Sequence, residues 1–150
     1  MLRISKLADY STVIMVYLAK IEQLKNVTDI ALATSLSKPT VSKLVKRLVD
    51  SNLLLSELGA KGGYRLAHPP KCISIAHIIN AIEQRNGLTE CSDHNSRCSL
   101  QLSCQISKHW QLIDKAIDGV LSQITLLELI QPSSKLRLDP IIKHVKREIL

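Results

Sequence analysis

At 150 residues with a formal charge of +7, the chain can bury a core of its own and needs no disulfide framework to hold one together. An aromatic content of 3%, with no phenylalanine, beside abundant Leu, Ile, Val and Ala predicts an aliphatic, mainly helical core, and the positive charge favours a polyanionic partner, because clustered Lys and Arg release counterions condensed on nucleic acid. No run approaches the roughly 20 apolar residues of a membrane span. Asp9 breaks the segment behind Arg3 and Lys6 and no small-residue cleavage site follows, so the expectation is a cytoplasmic protein with reduced thiols and no membrane partner.

In chain order, Ile4, Leu7, Ile14, Leu18 and Ile21 recur at three- and four-residue steps, with Ser11 in the missing position, and predict one buried face of a first helix. In "NVTDIALATSLSKPTVSKLVKRLVDSN", Thr28 is the expected cap of a short helix reaching about Leu36, and Ser37 before Lys38-Pro39 starts another. Two short helices joined by a tight turn make a helix-turn-helix. Ser35 stands where many such turns carry glycine. Val41, Leu44, Val45 and Leu48 fall on the core side of the second helix, which leaves Thr40, Ser42, Lys43, Lys46 and Arg47 outward.

"LLLSEL" and "YRLA" follow as short strand-like runs around "GAKGG", whose glycines permit a tight hairpin. A hairpin directly after a helix-turn-helix reads as a wing. Pro69-Pro70 closes the unit, and "SIAHIINAIEQ" predicts a helix capped by Ser74 with Ile75, Ile78, Ile79 and Ile82 inside. No periodicity runs from about Asn86 to Cys104, a length of loop that is generally functional or disordered. Beyond it, Ile106, Trp110, Ile113, Ile117, Val120 and Ile124 keep the alternating four- and three-residue steps of a seam between two helices, expected here to pair two copies in a homodimer. "TLLELI" predicts a short helix before Pro132 and a basic tail. The expected fold is mainly α with a small β-wing: a winged helix-turn-helix DNA-binding domain over 1–84, a cysteine-bearing loop over 85–105, a dimerisation helix and short following helix over 106–130, and a C-terminal tail over 131–150.

A helix about 10 to 12 Å across fits the major groove of duplex DNA, with its N-terminal residues reaching base edges and its basic side chains meeting phosphates. Lys38, Pro39, Thr40, Ser42 and Lys43 occupy that end. Lys46 and Arg47 follow, and Thr28 sits at the head of the preceding helix. Lys61 and Arg65 stand on or beside the glycine turn, where a wing tip enters the minor groove or meets its phosphates. A plain helical hairpin with a solvated face would show the same helix pattern; the wing separates the two readings.

Cys91, Cys98 and Cys104 are separated by six and then five residues. Zinc knuckles use gaps of about two to four residues, so the spacing disfavours zinc, and iron-sulfur clusters are the other common thiolate-held centre. Three thiols leave a fourth ligand to be found. Cys72, between strand and helix, reads as a small buried hydrophobe, while His94 and His109 are nearby candidates that more often serve as surface or packing residues.

The opening "MLRISKLADYSTVIMVYLA", the helix "KPTVSKLVKRL", the wing "AKGGYRLA", the helix "ISIAHIINAIE" and the spaced cysteines before a Trp-bearing helix together resemble the Rrf-two family of winged-helix regulators, which includes the iron-sulfur regulator IscR and the nitric-oxide sensor NsrR. The likeness spans roughly residues 1 to 130 and looks most like the branch that regulates the SUF iron-sulfur assembly system. It implies a homodimer that binds double-stranded promoter DNA and holds one iron-sulfur cluster per protomer, 2Fe-2S or 4Fe-4S, through Cys91, Cys98 and Cys104. The IscR type places a His ligand three residues after the last Cys, where this chain has Ser107. The NsrR type uses a carboxylate from the partner's first helix, and Asp9 matches that place; a surface or helix-capping residue is the other reading of it. Two other readings of the thiols remain: a winged-helix regulator that binds zinc or switches by thiol oxidation, and a thiol enzyme using Cys91 or Cys104 with His94 or His109. The absence of a CxxC, a nucleophile elbow or a phosphate loop argues against an enzyme.

Overall fold

The computed structural model describes residues 3–59, 61–83 and 104–132, together with residues 87, 89, 98, 142 and 143. Helix α1, Lys6–Ile21, starts at Ser5, whose hydroxyl accepts the Ala8 N–H at 3.2 Å, and stops at Glu22, which takes a left-handed φ of 53°. Ala8, Ile14, Met15, Leu18 and Ala19 are buried on one face with Ser11 among them; the Ser11 hydroxyl is satisfied by donating to the Leu7 carbonyl at 2.9 Å. Ile4, expected in this stripe, precedes the helix and is 51% exposed.

Helix α2, Val27–Thr34, is capped by Asn26 rather than Thr28, the Asn26 carboxamide oxygen accepting the Asp29 N–H at 2.9 Å. Asn is at least as good a cap as Thr, and it moves the helix start one residue ahead of the expected cap. The helix also ends before Leu36, because Ser35 enters the left-handed region at φ 57°, a conformation that normally favours glycine and costs another residue about 1 kcal/mol. Helix α3, Lys38–Asp50, begins at Ser37 as expected, with Pro39 in its first turn. Val41, Leu44, Val45 and Leu48 are all completely buried.

Strands β1, Leu54–Glu57, and β2, Gly63–Leu66, form an antiparallel hairpin, pairing Leu54 with Leu66 and Glu57 with Gly63. A 3-10 turn, Pro70–Cys72, leads into helix α4, Ile75–Glu83, where Ser74 accepts the His77 N–H at 3.3 Å. Ala76, Ile78, Ile79 and Ile82 are buried, and Ile75 partly so. Helix α5, Ser107–Gln123, is followed by helix α6, Leu126–Leu129, which opens on a reciprocal capping box between Thr125 and Glu128.

The core is one cluster drawn from α1, α2, α3, β1, α4 and α6. Leu126 is fully buried in it, and its N–H donates to the Ile73 carbonyl at 2.7 Å while the Ile75 N–H reaches the Ile124 carbonyl at 2.9 Å. The chain therefore returns to the winged-helix unit after α5. Ile106 and Ile124, the ends of the expected seam, lie just outside α5, at its start and end caps. Cys91 and His94 lie outside the described residues.

Candidate nucleic-acid interface and thiol residues

The split between the two faces of α3 shapes the first site. With its apolar stripe completely buried, the helix is fixed in rotation, and Lys38, Pro39, Ser42, Lys43 and Lys46 stand exposed. Thr40 is half-buried; its hydroxyl lies 2.8 Å from that of Ser37 and its N–H donates to the same Ser37 oxygen at 3.4 Å. The head of α3 thus presents hydroxyls, cations and the positive end of a helix dipole, a combination suited to phosphate.

Arg47 differs from its neighbours. It is half-buried, and Nη1 donates to the Ile82 carbonyl in the last turn of α4 at 2.9 Å. Spacing alone puts it on the outward face, but a long side chain can fold back along apolar surface. Thr28 is exposed on α2 as its second residue, not as its cap.

The wing is held on two sides. Gly59 adopts φ +108°, and a Cβ on Gly62 would run into the Glu57 carbonyl oxygen, so the tip needs both glycines. Lys61 is exposed there. Arg65 is also exposed, and its Nε pairs with Glu57 Oε1 at 3.0 Å across the hairpin. An exposed pair of this kind is worth little, so the guanidinium can exchange that carboxylate for a phosphate.

The thiols divide differently from the expectation for Cys72. Cys72 is exposed, not buried, because it ends a 3-10 turn whose neighbour Ile73 takes the core position instead. It lines an open cleft of about 560 Å³ with His68, His77 and Asn80. His77 Nδ1 accepts the Ser74 N–H at 3.2 Å. Among the described residues, no three His, Cys, Asp or Glu side chains gather closely enough to hold a metal ion. Cys98 and Cys104 are half-buried free thiols, and Cys104 stands just ahead of α5. Asp9 is exposed in the first turn of α1, His109 is exposed, and Ser107 is buried.

One contact at the base of the thiol segment escaped the sequence reading. Glu83, the last residue of α4, accepts the Ser5 N–H on Oε1 at 2.8 Å. A carboxylate in the last turn of a helix runs against the dipole, and this was the available sign that Glu83 serves a group elsewhere. The last turn of α4 thereby meets the head of α1 through Glu83 and helix α3 through Arg47.

Helix α5 has an uncovered apolar side. Trp110, Leu112 and Ile113 are 38%, 47% and 43% exposed and Ile106 is 56% exposed, and Ser107 is its sole buried residue among those described. No helix among the described residues is long and apolar enough to cross a membrane.

A family model described as an iron-dependent transcriptional regulator, Rrf2, matches residues 4–132. The transcriptional regulator NsrR of Bacillus licheniformis is 30% identical over 142 residues, which cover 91% of this chain and 97% of the relative. CymR, the global cysteine regulator of B. subtilis, superposes with a TM-score of 0.69 at 30% identity, over 87% of this chain and 97% of its own. IscR of T. potens does so with a TM-score of 0.68 at 27% identity, over 91% and 93%.

Proposed function

Because the chain belongs to the Rrf2 family of DNA-binding transcriptional regulators, whose members are not enzymes, we propose that it is an iron-sulfur-sensing repressor or activator acting as a homodimer on promoter DNA, with iron-sulfur assembly (SUF) genes as its targets. The observation that carries the DNA half is α3: a stripe buried to 0% exposure opposite the exposed Lys38, Ser42, Lys43 and Lys46, with Lys61 on a wing beside it. Thr40 and Thr28 complete the set of hydroxyl contacts, and Arg65 joins by leaving Glu57.

The second half rests on donor chemistry. Cys98 and Cys104 carry free, partly accessible thiols, and Cys104 stands just ahead of α5. With Cys91 they form the ligand set proposed for the cluster, and Asp9 of the opposite protomer is proposed as the fourth ligand, being exposed and free of any structural role in capping α1, which Ser5 performs. When bound, such a cluster supplies an iron-sulfide centre whose occupancy follows redox state and iron supply. The exposed Trp110 and Ile113, with Ile117, Val120, Ile106 and Ile124 in line, form the proposed contact between the two copies. Loading the segment beside this contact would set the spacing of the two recognition helices and so choose which DNA geometry is bound.

A second reading, in which the thiols are a redox switch or zinc ligands, has one observation in its favour: the structurally similar CymR of Staphylococcus aureus has an oxidized form. Purification without oxygen, followed by iron, sulfide and zinc analysis and a visible absorption spectrum, separates the two. Iron and sulfide in stoichiometric amounts are expected. Stoichiometric zinc, or no metal, would remove the cluster and leave the DNA-binding half standing.

A further inference from the structure

We infer that Arg47 is a positioning residue, which couples the cysteine-bearing segment to the recognition helix by its hydrogen bond to the last turn of α4, and is not a phosphate contact. This inference rests on the sensor reading above. The 2.9 Å bond from Nη1 to the Ile82 carbonyl joins residues 35 apart in sequence, and its acceptor is unusual. The last four carbonyls of a helix have no partner within it, and Ile82 is next to the final residue of α4. A guanidinium there satisfies one of them and meets the negative end of the dipole.

The two ends of the contact are each anchored. Arg47 sits between Val45 and Leu48 on α3, which are fully buried, and the Ile82 side chain is 4% exposed. Neither backbone can shift without disturbing packed core, so a displacement of one is passed to the other. Past Glu83 the chain runs directly into the segment that carries Cys91, and Glu83 itself holds Ser5 at the head of α1. A pull on the chain beyond Glu83 would therefore reach the turn that Arg47 grips. Lys43 and Lys46, by contrast, are exposed on the same helix, and Lys43 lies nearer the end that reads bases. Arg47 is in the last turn of α3, away from that end. A lysine cannot substitute fully, because the planar fork of Arg is pre-organised for a fixed carbonyl and an ammonium is not.

The experiment uses the full-length protein, with and without its cluster, and a duplex selected from a random library by the wild type. Affinity is measured across a range of salt for the wild type, Arg47→Gln and Lys43→Ala. The expected ratio of loaded to cluster-free affinity in the wild type, or its inverse, is roughly 5- to 150-fold, as for typical coupled sites. Arg47→Gln should bring that ratio close to one while leaving the slope of log affinity against log salt at the wild-type value. Lys43→Ala should keep the ratio and lower the slope by about one unit. In cluster-free protein, Arg47→Gln should also speed amide exchange in the last turn of α4 without speeding it at Leu44 or Val45.

Should Arg47→Gln fail to fold, Arg47→Lys carries the test: it preserves the charge, and hence the slope, under either role, and narrows the ratio only if the bond to Ile82 transmits the signal. A reduced slope with an undiminished ratio in Arg47→Gln would make Arg47 a phosphate contact and overturn the inference. A wide ratio in the wild type that Arg47→Lys retains in full would overturn it as well, with the sensor reading intact. A wild-type ratio of one would defeat the sensor reading, and the coupling with it.

Discussion

Lys25 and Tyr64 exchange backbone hydrogen bonds in both directions, Lys25 N–H to the Tyr64 carbonyl at 3.1 Å and Tyr64 N–H to the Lys25 carbonyl at 2.9 Å. The residue between α1 and α2 thus acts as a third, one-residue strand beside the wing. It also explains Gly63, since a Cβ there would lie 2.7 Å from the carbonyl carbon and oxygen of Lys25, and both are backbone atoms that cannot rotate away.

Gly63→Ala should therefore push the wing off the helical body. The expected loss is about 1–3 kcal/mol of stability, the usual cost of overpacking, read as a lower urea midpoint. DNA affinity should fall with it. Lys61→Ala, at the exposed tip, should reduce DNA affinity with no change in the midpoint, and an equal loss of stability in both variants would contradict the role assigned to the Lys25 contact.

The winged-helix reading was legible because it depends on local signals: Ser37 and Pro39 start a helix wherever they occur before a helical stripe, and the stripe Val41, Leu44, Val45, Leu48 could face only inward. What escaped depends either on groups distant in sequence or on competition between neighbouring residues. Arg47 lies on the polar side by spacing, yet its terminal nitrogen finds a carbonyl of α4, and no pattern within α3 encodes that. Thr28 lost the cap to Asn26 by competition between two adequate residues, and Cys72 was displaced from the core by Ile73, one residue on. The three spaced thiols could be counted from sequence, but what they hold is decided by their arrangement in space.

The apolar side of α5 makes the proposed dimer testable without damage to the protomer. Ile113 is 43% exposed, so Ile113→Glu should leave the helical circular dichroism and the thermal midpoint of a dilute sample unchanged. In a dimer the same carboxylate would be buried without a partner between two apolar helices, which is strongly unfavourable. Sedimentation should show wild-type dimer and mutant monomer. Binding to a two-half-site operator should drop by at least about 100-fold, because the second half-site no longer benefits from a tethered partner; a stable mutant dimer would move the interface off this face.

The exposure of Cys72 and its distance in sequence from the other thiols give the proposed cluster its sharpest control. In protein prepared without oxygen, Cys91→Ala, Cys98→Ala and Cys104→Ala should each abolish retention of iron and sulfide, since each removes one of the three proposed thiolate ligands. Cys72→Ala should retain both in full, because Cys72 faces an open cleft beside His68 and His77 on the far side of α4 in the chain from that segment. Asp9 then tests the fourth position. Its carboxylate is exposed and the cap of α1 is supplied by Ser5, so Asp9→Ala should cost the fold little while making the cluster labile and changing its visible spectrum. His109→Ala should do neither, and the reverse pattern would give the fourth position to His109. The two variants can also be mixed: a heterodimer with Asp9→Ala on one protomer and Cys104→Ala on the other has one wholly intact site if Asp9 acts across the dimer and none if it acts within its own chain. Retention of about half the wild-type iron by the purified heterodimer is the expected result, and its complete loss would place Asp9 in the site of its own protomer.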